Sequence, residues 1–163
     1  MEKACVTSIR KGSLEDIDQI NQVLEQAVMS WGLPERVKRL AIPSYRYHAY
    51  DMNSMSFYLA ENASGEVIGV AALEAIPSLE DQKSSPSMLL HGLYVLPEYH
   101  HRGIGRQLLS VAEEHAQQEG FSGLMVKAQP EAKVFFSRNG YKELAVEDVR
   151  KDYQYRLWKS LTD

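Results

Sequence analysis

Cysteine is nearly absent: the 163-residue chain has one, Cys5, so no internal disulfide can form. That excludes the disulfide-stapled secreted class and points to a reducing cytoplasm. Cys5 itself reads as a small residue of the first strand rather than a nucleophile. Long apolar runs are missing too. Nothing approaches the roughly 18 residues that span a bilayer, and Met1-Glu2-Lys3-Ala4-Cys5 has no apolar stretch of signal-peptide type. Positive charge is in deficit, with 18 Lys and Arg against 22 Asp and Glu and a net charge of −4. A nucleic-acid binder needs a basic footprint, so that class is excluded. A small acidic excess suits a cationic partner, though net charge steers encounter and defines no site. No repeat, low-complexity tract or interdomain linker is present. The length suits one domain, over residues 5–160, large enough for a real core.

Periodicity gives the element order. Residues 5–10 predict a first strand. Ser13 stands at N-cap spacing from Asp16, and Ile17, Ile20, Leu24, Ala27, Val28 and Trp31 trace one helical face. Gly32 and Pro34 end or kink that helix, and Glu35 to Leu40 starts a second. Phe57–Glu61 and Val67–Ile76 predict a hairpin around Asn62-Ala63-Ser64-Gly65-Glu66. Pro77 to Ser87 reads as a loop and Met88–Val95 as a strand. A helix follows from about Gly103 to Glu119, then a strand over Gly123–Ala128. Pro130 begins a later helix and Gly140 ends it. Leu144–Val149 and Asp152–Lys159 predict a closing strand pair.

The most informative stretch is Val95-Leu96-Pro97-Glu98-Tyr99-His100-His101-Arg102-Gly103-Ile104-Gly105, followed by Arg106-Gln107-Leu108-Leu109. It reads as a strand end, a basic loop, two glycines one residue apart and the first turn of a helix. Glycine allows positive φ and close approach of a ligand to the backbone. The free N–H groups of the first turn, with the positive end of the helix dipole behind them, make a phosphate cradle. The third glycine of a dinucleotide fingerprint is replaced by Leu108, and no Gly-Lys-[Ser/Thr] follows, so neither a Rossmann nor a Walker loop is present.

A strand ending in Val-x-Pro and leading into [Arg/Gln]-x-x-Gly-x-[Gly/Ala] resembles the acetyl-CoA pyrophosphate loop of the GNAT acetyltransferase superfamily. Val95, Pro97, Gly103 and Gly105 match it, and Ile104, Leu108, Ala112 and Ala116 form one apolar stripe behind it. A second block, Ala132-Lys133-Val134-Phe135-Phe136-Ser137-Arg138-Asn139-Gly140-Tyr141, is similar to the family's later helix. The likeness covers roughly residues 5 to 160. Three positions depart from the pattern. His100 occupies the usual Arg/Gln position, Gln129 replaces a common Asn, and Phe136 stands where many members carry a Tyr that protonates the leaving thiolate. The resemblance implies an α+β fold: a mixed central sheet of six to seven strands, splayed in the middle, flanked by about four helices. Acetyl-CoA, the implied co-substrate, would enter the cleft between the cradle strand and the later helix.

By the same resemblance, the pyrophosphate meets the N–H groups of Arg102, Gly103, Ile104, Gly105, Arg106 and Gln107, with the side chains of Arg102 or Arg106. A backbone N–H among Leu93, Tyr94 and Val95 polarises the thioester carbonyl, and Phe136 lies near the cofactor sulfur. Water, or a hydroxyl such as the near-in-sequence Tyr94 or Tyr141, would replace its missing donor, or the thiolate departs unprotonated. An amine substrate arrives mostly protonated, so a base is needed, and no metal is called for. His91 shares a strand face with Val95 and is the first candidate, with Glu74 on the neighbouring strand the second. Each also reads as an ordinary strand residue.

Trp31 to Tyr50 falls where the family places its acceptor-binding helices, and its aromatic rings suit an amine. It reads equally as a lid packed by its own aromatics or as a homodimer surface. The resemblance implies an N-acetyltransferase acting on a small-molecule or peptide primary amine, with no nucleic acid and no membrane as partner. The alternative is a non-catalytic acyl-CoA-binding or sensing domain, which Phe136 motivates.

Overall fold

A computed structural model describes residues 8–80, 86–144 and 156–162. Cys5 and the rest of residues 1–7 lie outside them, as do most of the strand expected over 144–149 and the start of the one over 152–159. Among the described residues, seven strands form one sheet in the order β1-β2-β3-β4-β5-β7-β6. They are β1 (Ser8–Lys11), β2 (Met55–Glu61), β3 (Val67–Glu80), β4 (Pro86–Val95), β5 (Gly123–Lys127), β6 (Lys142–Glu143) and β7 (Arg156–Ser160). Five α-helices accompany them: α1 (Ile17–Met29), α2 (Glu35–Tyr45), α3 (Asp51–Ser54), α4 (Ile104–Gln118) and α5 (Lys133–Arg138). Pairing is antiparallel between β1 and β2 and between β7 and both β5 and β6. It is parallel between β4 and β5. This is the expected α+β fold with a mixed sheet. Among the described residues, no helix is long and apolar enough to cross a membrane.

Contacts gather the chain into two compact units. The first takes the described parts of Met1–Ala72 and Gly92–Val111. Its core is built by the α1 stripe of Ile20, Val23, Leu24 and Val28 with Tyr47, Phe57, Leu59, Val70 and Ala72. The start of α1 is fixed electrostatically. The Ser13 N–H donates to Asp16 Oδ2 at 2.8 Å, and Arg10 joins Asp16 (2.8 Å) to Glu61 (2.9 Å). Arg10's hydrogen bonds, against the pull of burial, hold the Asp16 carboxyl below the ordinary carboxylate range. At the other end Lys38 Nζ donates to the carbonyls of Met29 (2.7 Å) and Trp31 (3.1 Å), satisfying acceptors the ending helix leaves open.

The second unit takes Leu73–His91 and the described parts of Ala112–Asp163. Ser87–Leu90 of β4 pair in parallel with Gly123–Val126 of β5, and β5 pairs with β7 through Lys127↔Arg156. Gly123 is glycine for space, because a Cβ there would collide with the Trp158 indole. That indole donates to Ser87 Oγ at 3.0 Å.

Several boundaries move from their expected places. The loop expected over Pro77 to Ser87 loses Pro77–Glu80 to β3 and Pro86–Ser87 to β4. The second helix runs to Tyr45 with Pro43 inside it. Pro43 sits in its last turn, where the Arg46 N–H reaches the Ile42 carbonyl (3.2 Å). A short strand not expected from the sequence, the two-residue β6, stands just before Leu144.

Candidate active site

In the first unit the basic loop is built by short local bonds. The Leu96 N–H donates to the Ile68 carbonyl of β3 (2.9 Å), and Pro97–Tyr99 then form one 3-10 turn. The Tyr99 N–H donates to Leu96 (2.9 Å) and the His100 N–H to Pro97 (3.1 Å). His100 Nε2 lies 3.0 Å from the Val95 carbonyl, so it donates there and folds the loop back on the strand end. His101 has φ 62 and Gly103 φ 81. A histidine in the left-handed region is uncommon and costs on the order of 1 kcal/mol or more. The first helical bond runs from the Gln107 N–H to the Gly103 carbonyl (3.0 Å). The N–H groups of Ile104, Gly105 and Arg106 therefore lie ahead of it and point out of the helix end. Around them Arg102, Gly103, Arg106 and Gln107 are exposed, while Ile104 and Leu108 are buried. The Arg102 guanidinium lies over the Tyr99 ring, 5.3 Å from its centroid.

The close seat of α4 depends on Gly69. A Cβ there would stand 2.8 Å from Leu108 Cδ1 and 3.3 Å from Ile104 Cγ2, so a larger residue would press on the Leu108 and Ile104 side chains where α4 meets β3. Glycine inside a strand pattern is the sequence signal for such an approach.

Alternation along β4 sorts the candidate oxyanion donors. The Leu96 N–H faces β3, as does the Tyr94 carbonyl, which would lie 3.4 Å from a Cβ on Gly69. The backbone of Tyr94 is thus turned toward β3, and its N–H is not directed to the other edge. Leu93 and Val95 face the opposite way, in keeping with the bond from His100 to the Val95 carbonyl. Of the three, Leu93 and Val95 are the two whose N–H groups turn away from β3. Tyr94 contributes its ring, which packs beside the first unit's core. Burial, with a smaller push from Tyr45, raises its phenol above the ordinary tyrosine range, so it holds its proton at neutral pH.

The aromatic segment divides. Trp31 packs edge-on against Tyr45 (5.7 Å) and Tyr47 against Phe57 (4.9 Å). Asn21 clamps the Tyr47 backbone from both sides at 2.9 Å. The Tyr47 hydroxyl and the Tyr94 ring occupy the space a Cβ on Gly92 would need. Tyr47 belongs to the core and Trp31 and Tyr45 pack against that core, which favours the self-packed reading for them. Leu33, Val37, Leu40 and Tyr50 are exposed, and His48 stacks on Tyr50 at 5.4 Å.

In the second unit His91 on β4 is exposed and Glu74 on β3 is half-buried. Phe136 on α5 is only 4% exposed, edge-on to Phe135 (5.1 Å) and Tyr141 (5.4 Å). The Tyr141 hydroxyl donates to Glu113 Oε2 at 2.7 Å, and Lys159 Nζ bonds both oxygens of Glu113 at 3.2 Å. Burial first, then the Glu113 charge and hydrogen bond, push the Tyr141 phenol far above the tyrosine range. Its proton is committed to Glu113, which removes it as a replacement donor for Phe136. Gln129 caps the 3-10 turn Pro130–Ala132, its carbonyl accepting from the Ala132 N–H (2.9 Å).

The family model for the acetyltransferase (GNAT) domain matches residues 53–143, which contain the cradle, α4 and α5. The chain belongs to the GNAT acetyltransferase family. A curated relative, the uncharacterized N-acetyltransferase YhfO of Bacillus subtilis (strain 168), is 30% identical over 94 residues. That match spans 56% of this chain and 62% of the relative's length. Among solved structures, the PaiA N-acetyltransferase of Thermoplasma acidophilum, crystallised with coenzyme A, superposes with a TM-score of 0.74 at 21% identity. It covers 94% of this chain and 98% of its own. YhbS of Escherichia coli, a GNAT family N-acetyltransferase crystallised with CoA, gives 0.70 at 17% identity over 99% of this chain and 85% of its own. These likenesses establish the GNAT fold.

Proposed function

We propose that this GNAT-family chain, over residues 5–160, is an acetyl-CoA-dependent N-acetyltransferase that moves acetyl to a primary amine by direct attack in a ternary complex. The observation that carries the reading is the cradle: left-handed Gly103, then the outward N–H groups of Ile104, Gly105 and Arg106, beside Arg102. Such a helix start, with its free N–H groups and the helix dipole behind them, suits a pyrophosphate. The Leu93 and Val95 N–H groups receive the oxyanion formed when the amine nitrogen attacks the thioester carbonyl. Pre-aimed donors of this kind are worth about 3–4 kcal/mol each in the transition state. Collapse of the tetrahedral intermediate breaks the C–S bond and expels the thiolate of coenzyme A.

The amine proton is a separate cost. For a lysine-like amine of pKa about 10.4, deprotonation at neutral pH costs roughly 4–5 kcal/mol. His91, exposed on β4, takes that proton directly or through water, with Glu74 as the second candidate. The departing thiolate needs less help, since a simple thiol has a pKa of about 8.5. Burial raises the Tyr94 phenol and makes it a weak acid for that step, so water protonates the thiolate or it departs unprotonated.

A second reading rests on Phe136, a ring with no donor: the chain binds acyl-CoA without transferring it. Thiol release, followed over a panel of primary amines with acetyl-CoA in excess, separates the two. Turnover with any amine establishes transfer. Saturable acetyl-CoA binding without turnover favours the binding domain.

A further inference from the structure

Tyr99 lies between the cradle and the β2–β3 turn, and its hydroxyl, N–H and ring are each engaged. Its hydroxyl accepts from Asn62 Nδ2 at 3.1 Å, its N–H donates to the Leu96 carbonyl, and its ring carries the Arg102 guanidinium. Asn62 is itself fixed. It is 9% exposed, its Oδ1 accepts from the N–H groups of Ser64 (2.9 Å) and Glu66 (3.0 Å), and its Nδ2 also donates to Glu66 Oε1 (2.9 Å). That uses the full bonding capacity of the amide. The turn therefore holds Asn62, Asn62 holds the phenol, and the phenol presents a ring at a set place beside the loop.

We infer that Tyr99 is a positioning residue for cofactor binding: it holds the Arg102 side chain beside the cradle, so that the guanidinium is in place when the pyrophosphate of coenzyme A arrives. The inference rests on the cradle reading above. Arginine suits the task because its plane can lie on an aromatic face while its N–H fork, at the edge, remains open to oxyanions. An exposed arginine otherwise samples many rotamers, and fixing one on binding lowers affinity. A ring within about 6 Å of the guanidinium settles that choice beforehand.

Calorimetric titration of coenzyme A into wild type, Tyr99→Leu, Arg102→Ala and the double variant tests this. Arg102→Ala is expected to weaken binding about tenfold and Tyr99→Leu about three- to fivefold, the sizes usual for a charge-assisted contact and a cation–π contact. In the Arg102→Ala background, Tyr99→Leu should change Kd by less than about twofold, because the residues act as one unit. An equal loss in both backgrounds, no loss from Tyr99→Leu in the wild-type background, or no loss from Arg102→Ala overturns the inference while leaving the cradle reading intact. If wild type binds no coenzyme A, the cradle reading falls and takes the inference with it. Should Tyr99→Leu not fold, Tyr99→Phe serves in the same cycle. It releases only the bond to Asn62, and its smaller loss must again vanish without Arg102.

Discussion

His91 and Phe136 are the residues on which the chemistry turns. His91 is the exposed imidazole of β4, and a base matters most when the substrate is mainly ammonium. His91→Ala should therefore lower kcat/KM most near neutral pH, with the loss shrinking toward pH 9.5 as free amine becomes abundant. A loss constant from pH 6.5 to 9.5 would assign it a structural role, and full activity would pass the task to Glu74. Phe136 is buried among Phe135 and Tyr141. Phe136→Tyr should leave acetyl-CoA affinity within a few-fold. It should raise kcat if thiolate departure limits the rate, general acid catalysis being worth about a hundredfold where that step matters. Loss of cofactor binding in that variant would make the ring pure packing. The sequence displayed the missing hydroxyl, but the engagement of Tyr141 with Glu113 was not legible. The two residues are 28 apart, and neither carries a local signal for the other.

Elements were legible where one period ran unbroken. The stripe Ile104, Leu108, Ala112 and Ala116 named the buried face of α4, and all four are at most 1% exposed. What it could not show is how near α4 lies to β3, since that is set by an absent side chain at Gly69, far away in sequence. Gly69→Ala should destabilise the fold by about 1–3 kcal/mol through overpacking against Leu108. It should also weaken coenzyme A binding, because the atoms displaced belong to the first turns of α4. Unaltered thermal unfolding would show that Leu108 yields freely. At the start of α1, Ser13 and Asp16 were legible as a cap, and the added grip of Arg10 was not. Asp16→Asn should cost about 1–2 kcal/mol at pH 7, at the low end for a charge-assisted bond because 40% of the Arg10 side chain is exposed. Since folding lowers this carboxyl below its usual 3.8, its contribution is complete above that value and is lost as pH falls through the folded one. Denaturant melts taken from pH 7 down through the acid range should thus show the gap between variant and wild type closing as pH falls. A gap that persists in acid would mean packing, not charge.

For the whole molecule, the family model begins at residue 53, after α1 and α2. The matched part carries the cradle, and the part outside it carries the chain's individuality. Sequence alone showed helices and many aromatics there. It could not sort Trp31, Tyr45 and Tyr47, which pack inward, from Leu33, Val37, Leu40 and Tyr50, which face solvent. Inward and outward rings look alike until the Asn21 clamp and the opening at Gly92 are seen. The central claim is that the start of α4 holds the pyrophosphate of acetyl-CoA, and Gly105→Asp isolates it. An acidic residue in the first turn of a helix favours the fold, by about 0.3–1 kcal/mol, as does replacing a helical glycine. The same carboxylate opposes a phosphate at the same N–H groups. Calorimetric titration of acetyl-CoA should give saturable binding to wild type and none to Gly105→Asp, with thermal unfolding of the variant unchanged or raised. Equal affinity in a folded variant would contradict the account.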